Sequence, residues 1–174
     1  MSDIPTLTTE RLILRQMQTD DWKAYFGFLA SDRARYMGGP YSQVRAWGLF
    51  CSDYAQWGLF GFGGLMIQRR DGGPAIGQVS INYGPSFPEY ELGWFVYPDA
   101  EGQGIAYEAA IALCNWARQT RRLPTLVSYV DPQNDRSRRL AERLGAVSDV
   151  DALRPDATNL VYRHYGRAHL RLWS

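Results

Sequence analysis

The stretch Asp99-Ala-Glu-Gly-Gln-Gly-Ile-Ala-Tyr-Glu-Ala-Ala-Ile-Ala-Leu-Cys-Asn-Trp-Ala117 places Gly102 and Gly104 immediately before a helical pattern. Glycine is costly wherever the backbone is fixed, so the pair needs a reason. One reason is a turn with no ligand. The other is an anion that must come close to the backbone amides. A helix entered through such a loop begins with amides that lack an intrahelical acceptor, and its dipole favours negative charge there. Phosphate or pyrophosphate suits that environment. The dipole alone contributes about 0.3–1 kcal/mol for an exposed anion, so direct amide hydrogen bonds and a closed site must supply the rest. A dinucleotide fingerprint is poorly matched, because Tyr107 stands where the third glycine belongs. A phosphate loop of the G-x-x-x-x-G-K-[ST] type is absent from the sequence.

The elements around the loop are legible from periodicity. Arg11–Arg15 reads as a strand, and Asp20 as the cap of a helix carrying Trp22, Tyr25, Phe26 and Leu29. A second helix is expected from Ser42 to Trp57, with Val44, Trp47, Phe50 or Cys51, and Tyr54 on its apolar side. Leu59–Arg69 and Ala75–Tyr83 flank the turn Asp71-Gly-Gly-Pro74 and predict a hairpin with a bulge or bend. Glu89–Tyr97 alternates, with Leu92, Trp94 and Val96 on one face and Glu91, Gly93, Phe95 and Tyr97 on the other. The glycine loop and its helix follow, then a strand at Leu126–Val130. A helix opens after Asp131-Pro-Gln-Asn134 and closes at Gly145, and Thr158–His164 reads as a last strand. This is an α+β or α/β domain with a βαβα core between Glu89 and Gly145. The loop leaves the carboxyl end of a strand, where such sheets tend to bind ligands.

Composition bounds the function. The 174 residues suit one domain spanning 1–174, and 45% hydrophobic with 21% charged residues is ordinary for a soluble globular protein. A net charge of +1 removes the simplest argument for a nucleic-acid-binding face. Cys51 and Cys114 form neither a metal pattern nor a disulfide framework, and Cys114 is expected to be a buried thiol. No apolar run is long enough to span a bilayer and no signal peptide is evident, so a cytoplasmic setting is expected, without membrane partners.

Four segments together resemble the GNAT superfamily of N-acetyltransferases, and within it the ribosomal-protein N-terminal acetyltransferases of the Rim-type branch. They are Thr8-Thr-Glu-Arg-Leu-Ile-Leu-Arg15, Glu91-Leu-Gly-Trp94, Glu101-Gly-Gln-Gly-Ile-Ala-Tyr-Glu-Ala109 and Asn134-Asp-Arg-Ser-Arg-Arg-Leu-Ala-Glu-Arg-Leu-Gly145. The resemblance implies a mixed α/β fold: a central, mostly antiparallel twisted sheet flanked by helices, with a splayed pair of parallel strands. It implies that the amides of Gly102, Gln103, Gly104, Ile105, Ala106 and Tyr107 hold the pyrophosphate of acetyl-CoA. The backbone around Phe95 and Val96 would pair with the pantetheine arm, an amide near Val96 would face the thioester oxygen, and Asn134 and Ser137 would contact the cofactor. Two positions depart from the family. Glu101 opens the motif where Gln or Arg is usual, and a carboxylate beside phosphate is expected to turn to solvent. Ala141 stands where many members carry a tyrosine acid, which leaves Ser137 to hydrogen-bond the sulfur. The alternative for Ser137 is an ordinary polar contact.

Acetyl transfer needs a neutral amine held at the thioester and a route for its proton. Glu91 is the first candidate base, on the strand beside the cofactor and sharing a face with Gly93; its alternative role is structural. Glu89 and Tyr83 are weaker choices. His164 and His169 fall outside the motifs and are not expected to act. Arg136, Arg138, Arg139 and Arg143 read as a solvated face, with Arg138 or Arg139 the better guesses for a 3′-phosphate contact. Acceptor selectivity is expected from the first two helices and the loops Tyr36–Tyr41 and Gly84–Pro88, with Trp47, Tyr54, Trp57 and Phe87 as aromatic candidates. The expected function is transfer of an acetyl group from acetyl-CoA to a primary amine, a protein N-terminus or a small molecule. The competing reading is a non-catalytic acyl-CoA-binding or interaction domain. A homodimer is compatible with the sequence.

Overall fold

The structure is a computed structural model and describes residues 4–167. Eight strands form one sheet in the order β1-β2-β3-β4-β5-β6-β8-β7: β1 Leu7–Thr8, β2 Leu12–Gln16, β3 Gly64–Arg69, β4 Ala75–Gly84, β5 Phe87–Val96, β6 Leu126–Val130, β7 Val147–Ser148 and β8 Leu160–Tyr165. Every neighbouring pair is antiparallel except β5 and β6. The expected hairpin is β3–β4, with its irregularity between Ile67 and Gln68.

Four helices cover the sheet: α1 Trp22–Leu29, α2 Gln43–Phe60, α3 Ile105–Gln119 and α4 Asp135–Arg143. α3 buries Ile105, Ala109, Ala110, Leu113 and Ala117 against Leu12, Leu14, Leu65, Ile67, Val79, Ile81 and Leu92. Its apolar stripe at helical spacing is the reason it forms and the reason it stays. On the other face, Tyr25, Phe28 and Leu29 of α1 and Ala46 and Phe50 of α2 pack with Met66 and Phe95. α4 closes the far edge through Ala141, packed with Val130, Ala146 and Tyr162.

Three local expectations are corrected. The chain enters α1 through a 3-10 turn capped by Gln18 in a reciprocal box with Asp21, so Asp20 is not the cap. Asp21 is buried because Arg15 neutralises it at 2.8 Å. The strand expected from Leu59 begins at Gly64, since Leu59 and Phe60 continue α2 until Gly61 ends it at φ +73°. The side of α2 expected to be apolar mostly faces out: Val44, Trp47 and Tyr54 are 84%, 46% and 45% exposed, while Phe50, Gln56 and Trp57 are buried. The inward side of this helix carries polar groups that serve the site.

Candidate active site

The glycine loop follows β5 through a 3-10 turn at Pro98–Ala100. Gly102 and Gly104 sit at φ +72° and +75°, the left-handed region that a side chain resists by roughly 1–2 kcal/mol. Gly104 is the N-cap of α3, so the first amides of that helix point out of the loop without intrahelical acceptors. Arginines fasten the loop from outside. Arg11 donates to the Gln103 carbonyl at 3.0 Å and pairs with Glu108 at 2.7 Å, and Arg69 donates to the Gln103 side chain at 2.6 Å. Gln103 in turn donates to the Asp99 carbonyl, so its side chain bends back along the loop. Gly102 and Gln103 are exposed, whereas Ile105 is buried and Ala106 and Tyr107 are half-buried.

Glu101 does not turn to solvent. Arg33, from the 3-10 turn between α1 and α2, reaches both its oxygens at 2.7 and 2.9 Å, and Arg136 of α4 reaches one at 2.5 Å. Two cations on one carboxylate leave the mouth of the loop net positive, which removes the repulsion expected of an acid there. Arg143 lies over the Tyr107 ring at 4.1 Å, a second tie between α3 and α4. Asn134 caps α4, its Oδ1 accepting from the Ser137 amide at 3.2 Å, and this places the half-buried Ser137 in the first turn beside the loop. Arg138 is committed to Asp135.

The parallel strands β5 and β6 register only at Glu91 and Val127. One residue further, Ser128 Oγ donates to the Leu92 carbonyl at 2.6 Å and meets His164 Nε2 at 2.9 Å. Because the serine proton is directed to Leu92, the imidazole Nε2 must carry a hydrogen and donate to Oγ. Burial lowers the His164 pKa to about 4, so the ring is neutral and acts as a strut. Beyond this point Phe95 and Val96 register with Gln78 and Gly77 of β4, and no β6 register faces them. The Phe95 ring stacks on Phe28 at 4.6 Å, so only its backbone is available to the cleft.

A polar row occupies the sheet face beneath α2. Gln78, Ser80 and Asn82 alternate along β4 opposite Phe95, Gly93 and Glu91 of β5. Asn82 Nδ2 donates to Glu91 Oε2 at 2.6 Å and to Ser80 Oγ at 3.1 Å. Gln56 of α2 donates to Asn82 Oδ1 at 3.3 Å, while Asp53, one turn earlier, accepts at Oδ2 from Tyr25 at 2.8 Å and Gln78 at 3.1 Å. Burial pushes Glu91 up to about 7 despite the Asn82 bond, and Asp53 up to about 6 despite its two donors.

The weaker candidates are placed elsewhere. Glu89 shares the Glu91 face but is locked by Arg163 at 2.8 Å to each oxygen and by Thr125 at 3.0 Å. Tyr83 points to the opposite face, stacked on Tyr90 at 4.5 Å. Of the aromatic candidates, Trp57 lies in the core and donates to the Gly64 carbonyl, Tyr54 meets Gln16 on the outer side of α2, and Trp47 packs edge-on to Trp22. They do not form one wall. Cys114 is half-buried, its thiol pushed up to about 11 by burial. His169 lies outside the described residues. No cluster of metal-ligating side chains occurs among the described residues, and no helix among them is long and apolar enough to cross a membrane.

Residues 11–147 match the acetyltransferase (GNAT) domain model, so the chain belongs to the GNAT acetyltransferase family. It is similar to the crystal structure of an acetyltransferase from Agrobacterium tumefaciens strain C58, with 53% identity, a TM-score of 0.92, and coverage of 94% of this chain and 95% of that one. It is 24% identical over 145 residues to the uncharacterised N-acetyltransferase YnaD of Bacillus subtilis (strain 168), covering 80% of this chain and 81% of the relative. The fold also matches RimL, a ribosomal L7/L12 alpha-N-protein acetyltransferase solved with coenzyme A, at 16% identity and a TM-score of 0.71 over 91% of this chain and 96% of that one. The GNAT fold expected from the sequence, mixed α/β with a parallel β5–β6 pair in a mostly antiparallel sheet, is the one observed.

Sequence reasoning singled out the loop and Glu91 as candidates and did not name Arg33, Asp53, Gln56, Gln78, Ser80 or Asn82, which the structure places around them. The signal for three of them was present: Gln78-x-Ser80-x-Asn82 alternates with Val79 and Ile81 in a strand packed on both faces. A polar period of two beneath a helix marks a lined site.

Proposed function

We propose that the protein transfers an acetyl group from acetyl-CoA to a primary amine by direct attack in a ternary complex, with Glu91 as base. The observation that supports the reading is a buried carboxylate with no cationic partner among the described residues, packed against Gly93 where β5 and β6 keep their one register contact. Its pKa of about 7 suits a group that must accept a proton near neutrality.

The residues of the loop fit the coenzyme: left-handed glycines, exposed peptide and helix-start amides, and bracketing arginines are what a pyrophosphate requires. In this reading the amides of Gly102 to Tyr107 hold the pyrophosphate, and the unpaired backbone edge at Phe95 and Val96 takes the pantetheine arm. Asn134 acts through its cap, orienting Ser137 toward the sulfur. The neutral amine's nitrogen bonds to the acyl carbon and gives a proton to Glu91, the carbon–sulfur bond breaks, and the departing thiolate takes up the proton that Glu91 releases through solvent, leaving as thiol with the base restored. Holding both reactants in the V contributes about 7–11 kcal/mol, and the base about 10²–10⁴-fold. The acceptor in this proposal is either a protein N-terminus, as the Rim-type resemblance implies, or a small amine, and the setting is cytoplasmic.

The test is thiol release from acetyl-CoA across a panel of amines, with thermal stabilisation by acetyl-CoA, CoA, NAD and ATP measured in parallel. Stabilisation by the two coenzyme A species, with amine-dependent thiol release, is the expected result. Preferential stabilisation by NAD or ATP contradicts the reading.

A further inference from the structure

Gly64, Ser80 and Gly93 are register partners across β3, β4 and β5, so one row of the sheet facing α2 bears a serine between two positions without side chains. Two strand spacings of about 4.8 Å put the glycines roughly 10 Å apart. A carboxylate stands at each end. A Cβ on Gly64 would lie 3.1 Å from Asp53 Cβ and 2.9 Å from Gln78 Nε2; on Gly93 it would lie 3.1 Å from Glu91 Oε2, 3.2 Å from Ser80 Oγ and 3.3 Å from Asn82 Nδ2. The side chains can close over these two positions because both are glycine, and polar atoms converge on the row.

The charges within it are unbalanced. Buried Asp21 and Glu89 each meet an arginine fork, but among the described residues neither Asp53 nor Glu91 makes an ion pair. Both internal donors to Asp53 fall on Oδ2, and the donor to Glu91 falls on Oε2. The second oxygen of each is left unbonded without being sealed from solvent. Ser80 is only 6% exposed; its Oγ accepts from Asn82, while its own hydrogen is given to no acceptor among the described residues. Two uncompensated carboxylates on one largely buried sheet face are costly, and a ligand that brings two positive centres to their unbonded oxygens offsets both.

We propose that the acceptor is a small amine with a second cationic group a short chain away, held with that group on Asp53 and its reacting amine between Ser80 and Glu91. This rests on Glu91 facing the acceptor side, as in the proposed function, and makes Asp53 the residue that selects among amines.

The experiment compares putrescine with butylamine, which has the same carbon chain and one charge fewer. It reads kcat/KM by thiol release and, with CoA bound, affinity by calorimetry, in the wild type, Asp53→Asn and Asp53→Glu; acetyl-CoA affinity reports folding. A preference for putrescine of roughly tenfold or more, collapsing in Asp53→Asn and recovered in part by Asp53→Glu, is expected. Equal use of the two amines by the wild type, or an undiminished preference in Asp53→Asn, overturns the assignment. If no amine releases thiol, the transfer reading fails while calorimetry still decides this one: putrescine bound more tightly than butylamine only when Asp53 is present supports it, and indifferent binding overturns it.

Discussion

Asn82 Nδ2 donates to Glu91 Oε2 over 2.6 Å across the β4–β5 pair, and a second side chain, Gln56, holds Asn82 from α2. The bond favours the ionised form of Glu91, while burial favours the neutral form more strongly and sets the carboxyl at about 7. The proposed base and the amide that tunes it sit on adjacent strands, so the sheet itself fixes their distance.

Replacing Glu91 with glutamine is expected to lower kcat by roughly 10²–10⁴-fold with little change in acetyl-CoA affinity. The acid limb of the pH–rate profile, near pH 7 in the wild type, should vanish. A retained limb with full kcat would remove Glu91 from the chemistry.

Replacing Asn82 with alanine removes the interaction that lowers the Glu91 pKa. The acid limb should move to higher pH, in the direction opposite to any loss of burial. A limb that stays in place shows that Asn82 acts on packing alone.

Glu91 also makes stability depend on pH. Its folded pKa is raised from 4.5 to about 7, so the neutral form stabilises the fold below the unfolded value, and that contribution is lost as pH rises through the folded value. Thermal melts of Glu91→Gln and wild type should therefore diverge in favour of the variant as pH rises, and level off above about pH 7. Parallel melting curves at every pH contradict the raised pKa.

Glu101→Gln frees Arg33 and Arg136 from their shared carboxylate. Both cations then face the anion site, and coenzyme A should bind several-fold more tightly at low salt, with the gain shrinking as salt is added. Weaker binding would mean that Glu101 is needed to hold the arginines in place.

Much of this could be read from the chain. The alternation of Glu89–Tyr97 set the two faces of β5, and the Asp131–Asn134 signal placed α4 and its cap. The glycine loop was visible because left-handed backbone has few residues that tolerate it. α2 misled for a physical reason: its inward side carries Asp53 and Gln56, and its outward side carries Val44 and Trp47, so hydrophobic periodicity pointed the wrong way. The Glu101 contacts were invisible because Arg33 lies 68 residues away, and nothing local reports a partner at that separation. The serine–histidine strut at the parting of β5 and β6 likewise joins residues 36 apart.

In the proposed reaction the loop from Gly102 to Tyr107 grips the pyrophosphate and so delivers the thioester to the side of the sheet that bears Glu91. Crystals soaked with acetyl-CoA test it most directly. Pyrophosphate density on the amides of that loop, the pantetheine arm along Phe95 and Val96, and the sulfur within reach of Ser137 are the expected result. Coenzyme bound elsewhere, with these amides uncontacted, would contradict it.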